Sequence, residues 1–247
     1  MAVDWSDYDA VLFDLDGVIT PTAEVHMRAW AEMFTLFLQS RDDAGEQAPY
    51  TDADYFEHVD GKPRYDGVRD FLASRGITLP EGDPSDPPAA ETVCGLGNRK
   101  NLMFAEVLHD EGVTAYPGSV TLLDQLRAAG MKMAIVSSSK NAPDVLDTAG
   151  MTEYFSVVVH GGIAAERGLA GKPAPDTYEA AADELGVPHR RWVVVEDATS
   201  GVAAGAAGDF GLVIGVDRGV GHEALSAAGA DVVVSDLAEL TDGATTP

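Results

Sequence analysis

Six short apolar runs, each ending abruptly in polar or glycine residues, constrain this chain more than any other feature of it. They are Ala10-Val11-Leu12-Phe13, Met133-Ala134-Ile135-Val136, Val157-Val158-Val159, Trp192-Val193-Val194-Val195, Leu212-Val213-Ile214 and Val232-Val233-Val234. None alternates apolar with polar residues, so each predicts a strand buried on both faces, as in a parallel sheet. Helical patterns fall between them. Val120, Leu122, Leu123 and Leu126 precede the second run, Val145 and Leu146 the third, and Tyr178, Ala181, Ala182 and Leu185 the fourth. This alternation predicts an α/β fold with a doubly wound, mostly parallel sheet.

One stretch breaks the rhythm. Between Pro21 and His109 there is no strong buried strand. Thr22 to Leu38 reads as a helix, with Val25, Ala29, Met33, Phe34, Phe37 and Leu38 apolar and Thr22 as its N-cap. Gly67 to Ser74 and Gly97 to His109 also read as helices, and the Pro/Asp-rich stretch from Leu79 to Pro88 reads as a loop. The pattern predicts a helical cap, residues 21–109, inserted into a core made of residues 1–20 and 110–247. Asp242 to Pro247 reads as a frayed tail.

Composition narrows the function classes. A chain of 247 residues buries a sufficient core without staples. It carries 16 Lys and Arg against 41 Asp and Glu, a net charge of −25. Such a surface repels nucleic-acid backbones and anionic membranes. The single cysteine, Cys94, excludes an intramolecular disulfide and a Cys-rich zinc site. No secretory signal is evident, and no apolar run approaches the roughly 20 residues that span a bilayer. The expectation is a soluble, cytoplasmic protein, monomeric for want of a long exposed apolar helix face.

In an open α/β sheet, ligands bind beyond the carboxyl ends of the strands. The residues there are Asp14-Leu15-Asp16-Gly17, then Ser137-Ser138-Ser139-Lys140-Asn141, then a glycine-containing loop leading to Lys172-Pro173-Ala174-Pro175-Asp176, then Glu196-Asp197. Converging carboxylates repel one another unless a cation neutralises them. With only oxygen ligands on offer, the cation is a hard one, Mg²⁺. A hydroxyl and a lysine beside it would hold a phosphoryl group. One aspartate could attack phosphorus to form an aspartyl phosphate, and a carboxylate two residues on could protonate the leaving oxygen. Only five lysines occur in the chain, and Lys140 and Lys172 are two of them. Two other motif readings fail. Gly95-Leu96-Gly97 lacks a third glycine and a preceding strand, and Gly171-Lys172-Pro173 lacks the first glycine and the hydroxyl residue of a phosphate-binding loop.

Phe13-Asp14-Leu15-Asp16-Gly17-Val18, Val136-Ser137-Ser138, Lys172-Pro173-Ala174-Pro175-Asp176 and Glu196-Asp197-Ala198 resemble, in order, the four motifs of the haloacid dehalogenase superfamily. Thr22-Ala23-Glu24-Val25-His26, Trp30, Gly61-Lys62-Pro63-Arg64, Arg99-Lys100-Asn101 and Ser139-Lys140-Asn141 are similar to its β-phosphoglucomutase-like subfamily. The resemblance implies that Asp14 is the nucleophile and Asp16 the general acid and base. It implies a Mg²⁺ site made by Asp14, the Asp16 backbone carbonyl and Asp197, with Glu196 in or next to that shell. Ser137, Ser138 and Lys172 would hold the transferring phosphoryl group. Arg64, in the loop with Gly61 and Lys62, would grip the distal phosphate with Ser139, Lys140 and Asn141, because a guanidinium binds phosphate bidentately. His26 and Lys100 would link cap closure to the catalytic end. The sequence departs from the pattern at Pro21, where the related motif has Asp, at Gly67, where a hydroxyl residue is common, and in a longer loop near 79–92.

Three functions follow as expectations. The first is a mutase converting β-glucose 1-phosphate to glucose 6-phosphate, primed by glucose 1,6-bisphosphate. The second is a phosphatase acting on a small sugar phosphate with the same aspartates. The third is a non-catalytic binding module, disfavoured by the intact Asp14, Asp16, Lys172 and Asp197. Core motifs do not separate the first two, because shared chemistry does not determine substrate.

Overall fold

The computed structural model describes residues 3–41 and 47–241, so the tail reading at 242–247 lies outside the described residues. The chain divides into two compact units, Met1–Thr22 with Val113–Pro247, and Ala23–Gly112. The first holds a six-stranded sheet and the second is helical.

All six apolar runs are strands. In chain order they are β1 (Ala10–Phe13), β2 (Lys132–Ser137), β3 (Val157–His160), β4 (Trp192–Glu196), β5 (Leu212–Val216) and β6 (Val232–Val234). They lie in the order β3-β2-β1-β4-β5-β6, every pair parallel. This is a doubly wound sheet, and its strand order reverses between β1 and β4. Phe13 pairs with Ile135 on one side and Val195 on the other, so the next residue, Asp14, emerges at the carboxyl end of that crevice.

The helices are α1 (Thr22–Ser40), α2 (Asp52–His58), α3 (Arg64–Ser74), α4 (Val93–Glu111), α5 (Pro117–Ala128), α6 (Ala142–Thr148), α7 (Gly161–Arg167), α8 (Asp176–Leu185), α9 (Thr199–Ala207) and α10 (His222–Ala228). On one sheet face Ala10, Leu12, Ala134, Val136, Trp192 and Val194 pack with Tyr178, Ala181 and Ala182 of α8, Val202 and Ala204 of α9 and Leu225 of α10. The alternate residues Val11, Phe13, Met133, Ile135, Val193 and Val195 are also buried, which is why the strands read as unbroken apolar runs.

Several expectations need correction. The glycine-containing stretch after β3 is helical, as α7, capped by His160 Nδ1, which accepts from Gly162 N at 3.1 Å. Its two leading glycines hide a four-residue run of helix formers. Thr22 is the first residue of α1 rather than its N-cap, and its hydroxyl donates to Asp16 Oδ1 instead. α2 has no strong apolar period, and its signal is the reciprocal cap between Thr51 and Asp54. α9 is built from small residues that carry no helical stripe, so it was not predicted, and neither was α10.

In the helical unit, Trp30, Met33, Phe34, Phe37 and Leu38 of α1 pack with Tyr55, Val59, Val68, Phe71, Leu72, Val93 and Leu96. Phe34 and Phe71 are 3.9 Å apart between ring centroids. At the edge of this core Arg75 binds Asp54 at 2.7 Å and the Ala48 carbonyl at 2.6 Å, both side chains largely buried. Burial works against the Asp54 carboxylate, but hydrogen bonds from Arg75 and Thr51 hold its pKa below the ordinary value. A depressed carboxylate stabilises the fold above its unfolded pKa, and that stabilisation is lost as pH falls through the folded value. Arg75→Met is expected to cost about 1–3 kcal/mol at neutral pH. The gap to wild type should narrow on acidification below the ordinary aspartate range. Denaturant melts at neutral and acid pH measure this, and a pH-independent gap would refute it.

Candidate active site

The site begins where β1 ends. Asp14 N still donates to Val195 O at 2.9 Å, so the nucleophile candidate is held by the sheet ladder itself. The chain then turns at Gly17, whose φ is +84°. A β-carbon there would lie 1.9 Å from Asp197 Oδ2, so only glycine lets the Asp197 carboxylate come against this turn. Asp16 is oriented by two hydroxyls. Thr22 Oγ1 donates to its Oδ1, and Ser137 Oγ donates to its Oδ2 at 3.5 Å. Thr20 Oγ1 lies 2.7 Å from Thr22 Oγ1 and extends this chain of hydroxyls.

Lys172 reaches the same point from the loop before α8. Its ammonium donates to Asp14 Oδ1 at 2.6 Å, to Glu196 Oε1 at 2.5 Å and to the Val136 carbonyl at 3.0 Å. Three protons meet three acceptors, so a cation that is only 4% exposed is fully satisfied. Burial disfavours this ammonium, yet Asp14 and Glu196 outweigh it and raise its pKa well above the usual lysine value. Burial also raises the Asp14 carboxyl well above its ordinary value. Lys172 opposes that shift, while the charges of Glu196 and Asp16 add to it.

Glu196 ends β4. Its Oε1 also accepts from the Tyr178 hydroxyl at 3.2 Å, and its Oε2 accepts from Ala198 N at 2.9 Å. Both oxygens therefore serve protein donors. Glu196 is thus the anchor of Lys172 within this cluster. α9 passes close over it, and a β-carbon on Gly201 would lie 1.8 Å from Glu196 Oε1. Gly201→Ala should push Glu196 aside and misplace Lys172, costing on the order of 10- to 100-fold in kcat. Steady-state turnover beside a melting curve checks this, and a variant with wild-type kcat would remove Glu196 from the positioning of Lys172.

The oxygens around Asp14 fit a hard divalent cation. The donors are oxygens alone, and one ammonium stands against the carboxylates of Asp14, Asp16, Glu196 and Asp197, leaving surplus negative charge. Among the described residues, no three Asp, Glu, His or Cys side chains gather as a metal-holding group. A ligand set that includes main-chain carbonyls would need no third acidic side chain.

The structure thus brings Asp14, Asp16, Ser137, Lys172 and Glu196 together, with Asp197 against Gly17. Ser139 N donates to Ser137 Oγ, and Asn141 N to Ser139 Oγ, each at 3.1 Å, so this serine run forms the entry to α6. Ser138 and Asn141 are half-buried there and Lys140 is exposed. The remaining candidates lie in the helical unit. Arg64 opens α3 and its guanidinium donates to Asn101 Oδ1 at 2.6 Å and Asn98 Oδ1 at 3.4 Å. Lys100 is buried, bonded to His26 Nδ1 and 5.0 Å from the ring centres of both Trp30 and Phe104. Lys62 is taken by Asp70 at 2.6 Å, and Gly61 turns the chain with φ +69°. Sequence reasoning missed Gly201, Tyr178 and the role of Thr22. Tyr178 had read only as an apolar helix position, and a hydroxyl on a fully buried residue was its one distinguishing mark.

A buried aspartate locked to a lysine at the switch point of a parallel sheet, with a second carboxylate two residues on, defines an enzyme of the phosphotransferase and phosphatase class. A sequence model of the haloacid dehalogenase-like hydrolases matches residues 8–209. The β-phosphoglucomutase of Mycobacterium bovis is 51% identical over 94% of this chain and 90% of its own length. That of Bacillus subtilis is 31% identical over 94% of this chain and 91% of its own. Among solved structures, a haloacid dehalogenase family hydrolase from Deinococcus radiodurans with bound phosphate and sodium is 30% identical. It covers 95% of this chain and 93% of its own, with a TM-score of 0.64. The chain belongs to the haloacid dehalogenase-like hydrolase family, in its β-phosphoglucomutase-like branch. No helix among the described residues is long and apolar enough to cross a membrane.

Proposed function

We propose that this enzyme is a mutase that converts β-glucose 1-phosphate to glucose 6-phosphate. The chemistry rests on one observation, Asp14 Oδ1 held 2.6 Å from Lys172 Nζ with the hydroxyl-oriented Asp16 beside it. The choice of substrate rests on the 51% identical β-phosphoglucomutase. Asp14 carries the phosphoryl group as an aspartyl phosphate, formed first from glucose 1,6-bisphosphate. The 6-hydroxyl of β-glucose 1-phosphate loses its proton to Asp16 and attacks that phosphorus, giving the 1,6-bisphosphate and free Asp14. The 1-phosphoryl group then passes back to Asp14, and Asp16 returns the proton to the oxygen left on C1, so glucose 6-phosphate departs.

Lys172, Ser137 and Ser138 bind the phosphoryl oxygens during transfer, where fixed charges and donors lower the barrier most. Asp14, Asp197 and the Asp16 carbonyl would hold Mg²⁺, which supplies charge neutralisation when bound. Arg64, fixed by Asn98 and Asn101, offers its guanidinium to the distal phosphate. His26 and Lys100 respond to the bound sugar phosphate. A mutase must keep water from the aspartyl phosphate until the sugar arrives.

The 30% identical hydrolase with bound phosphate favours a second reading, a phosphatase that lets water take the phosphoryl group. A paired assay separates the two. Purified protein receives Mg²⁺, β-glucose 1-phosphate and a trace of the bisphosphate, and glucose 6-phosphate and free phosphate are followed together. Glucose 6-phosphate without phosphate release is the expected result. Phosphate release alone would replace the mutase with the phosphatase.

A further inference from the structure

The segment after Asp16 is buried but has no regular structure over Gly17, Val18 and Ile19. Its carbonyls therefore need partners from elsewhere in the fold. Three successive ones are met by three different groups. Ile19 O accepts from Tyr116 N at 2.9 Å. Val18 O accepts from the buried Ser119 hydroxyl at 2.6 Å. Gly17 O accepts from Arg218 Nε at 2.8 Å. Arg218 follows β5, and its Nη1 donates to Ser235 O at 3.0 Å after β6. Its guanidinium lies 4.0 Å from the centre of the Tyr116 ring, while its Nη2 is buried and makes no hydrogen bond. One arginine thus joins the loop after β1, the entry to α5 and the loop after β6.

Arg218 acts on the residue next to Asp16. Gly17 N in turn donates to Thr20 O at 2.7 Å, closing the turn whose hydroxyls hold the Asp16 carboxylate. We propose that Arg218 is a positioning residue for Asp16: by holding the Gly17 carbonyl it aims the Asp16 carboxyl at the leaving oxygen, and it therefore matters for substrates whose leaving group needs a proton. This rests on the reading of Asp16 as general acid and base. In the step concerned, Asp14 forms the new bond to phosphorus and the bond from phosphorus to the substrate oxygen breaks with its electron pair. Asp16 gives that oxygen its proton. A nitrophenolate leaves as a stable anion and needs no such proton. A sugar alkoxide does.

The experiment compares wild type, Arg218→Met and Arg218→Lys, with Mg²⁺, on β-glucose 1-phosphate primed with a trace of glucose 1,6-bisphosphate and on p-nitrophenyl phosphate. For Arg218→Met, kcat on the sugar phosphate should fall on the order of 10- to 100-fold. On the aryl phosphate the fall should stay within about threefold, with KM for both changed no more than that. Arg218→Lys keeps the charge and a donor and should recover part of the sugar-phosphate rate. If the methionine variant does not fold, the lysine variant alone still reads the ratio. Equal losses on both substrates, or none, would overturn the role of Arg218. Wild-type protein that turns over the aryl phosphate but no sugar phosphate would instead overturn the reading of Asp16.

Discussion

Asp14→Asn should abolish turnover, by on the order of 10⁴-fold or more, while leaving the fold intact. An amide is too weak a nucleophile to take the phosphoryl group, so no aspartyl phosphate forms. Its oxygen can still accept from Lys172, and Glu196 and the Val136 carbonyl still satisfy the other two protons of that ammonium. The melting temperature should therefore stay near that of wild type. Radiolabelled phosphoryl donor and intact-protein mass measurement test this directly. Label on the Asn variant, or turnover near the wild-type rate, would take the nucleophile role from Asp14.

Lys172→Met should have the opposite signature, damaging fold and activity together. The substitution leaves Asp14 and Glu196 as buried carboxylates at close range with no cation between them. Removing one partner of such a buried pair costs about 3–5 kcal/mol. The loss should depend on pH with a defined sign. Burial already raises Asp14 well above its ordinary value, and without Lys172 nothing opposes that shift. A carboxyl whose folded pKa exceeds its unfolded one binds protons more tightly in the folded state, so stability rises as pH falls. The gap to wild type should therefore be largest at neutral pH and close on acidification. Denaturant melts at several pH values, without added divalent cation, would show it. A constant gap, or one under about 1 kcal/mol, would mean that the pair is not the buried ion pair described here.

The two variants read different properties of one cluster, and the difference explains why part of it was legible in the sequence. Asp14 and Glu196 lie at the ends of β1 and β4, and their place follows from apolar runs that must be buried on both faces. Ser137 was placed just beyond a strand and is instead its last residue, a shift of one position that does not move its hydroxyl from Asp16. Lys172 has no such local marker. It belongs to no strand, and its partner Asp14 is 158 residues away in sequence. What marked it was its place beyond a strand end in a chain with only five lysines, together with a family motif.

Thr22 shows the converse. Its residue type and its position at the start of α1 were read correctly, yet its hydroxyl turns to Asp16 instead of capping the helix. A nearby carboxylate accepts a stronger hydrogen bond than a capping geometry offers. Glu196 was recognised as an acid at a strand end. That its two oxygens are occupied by Lys172, Tyr178 and the Ala198 amide depends on how α8 and α9 pack over β4. α9 itself went unpredicted because its small residues allow close approach to the sheet without forming an apolar stripe.

By itself, the sequence determined the parallel α/β sheet, the helical insertion after its first strand, and the acids at the strand ends. These depend on burial, and burial imposes a local period that neighbouring residues must satisfy together. Only the tertiary structure decided that Lys172 completes the Asp14–Glu196 pair, that Glu196 anchors it, and that Arg218 holds the turn behind Asp16. Those contacts join groups far apart in the chain, and no local period records where packing will bring them.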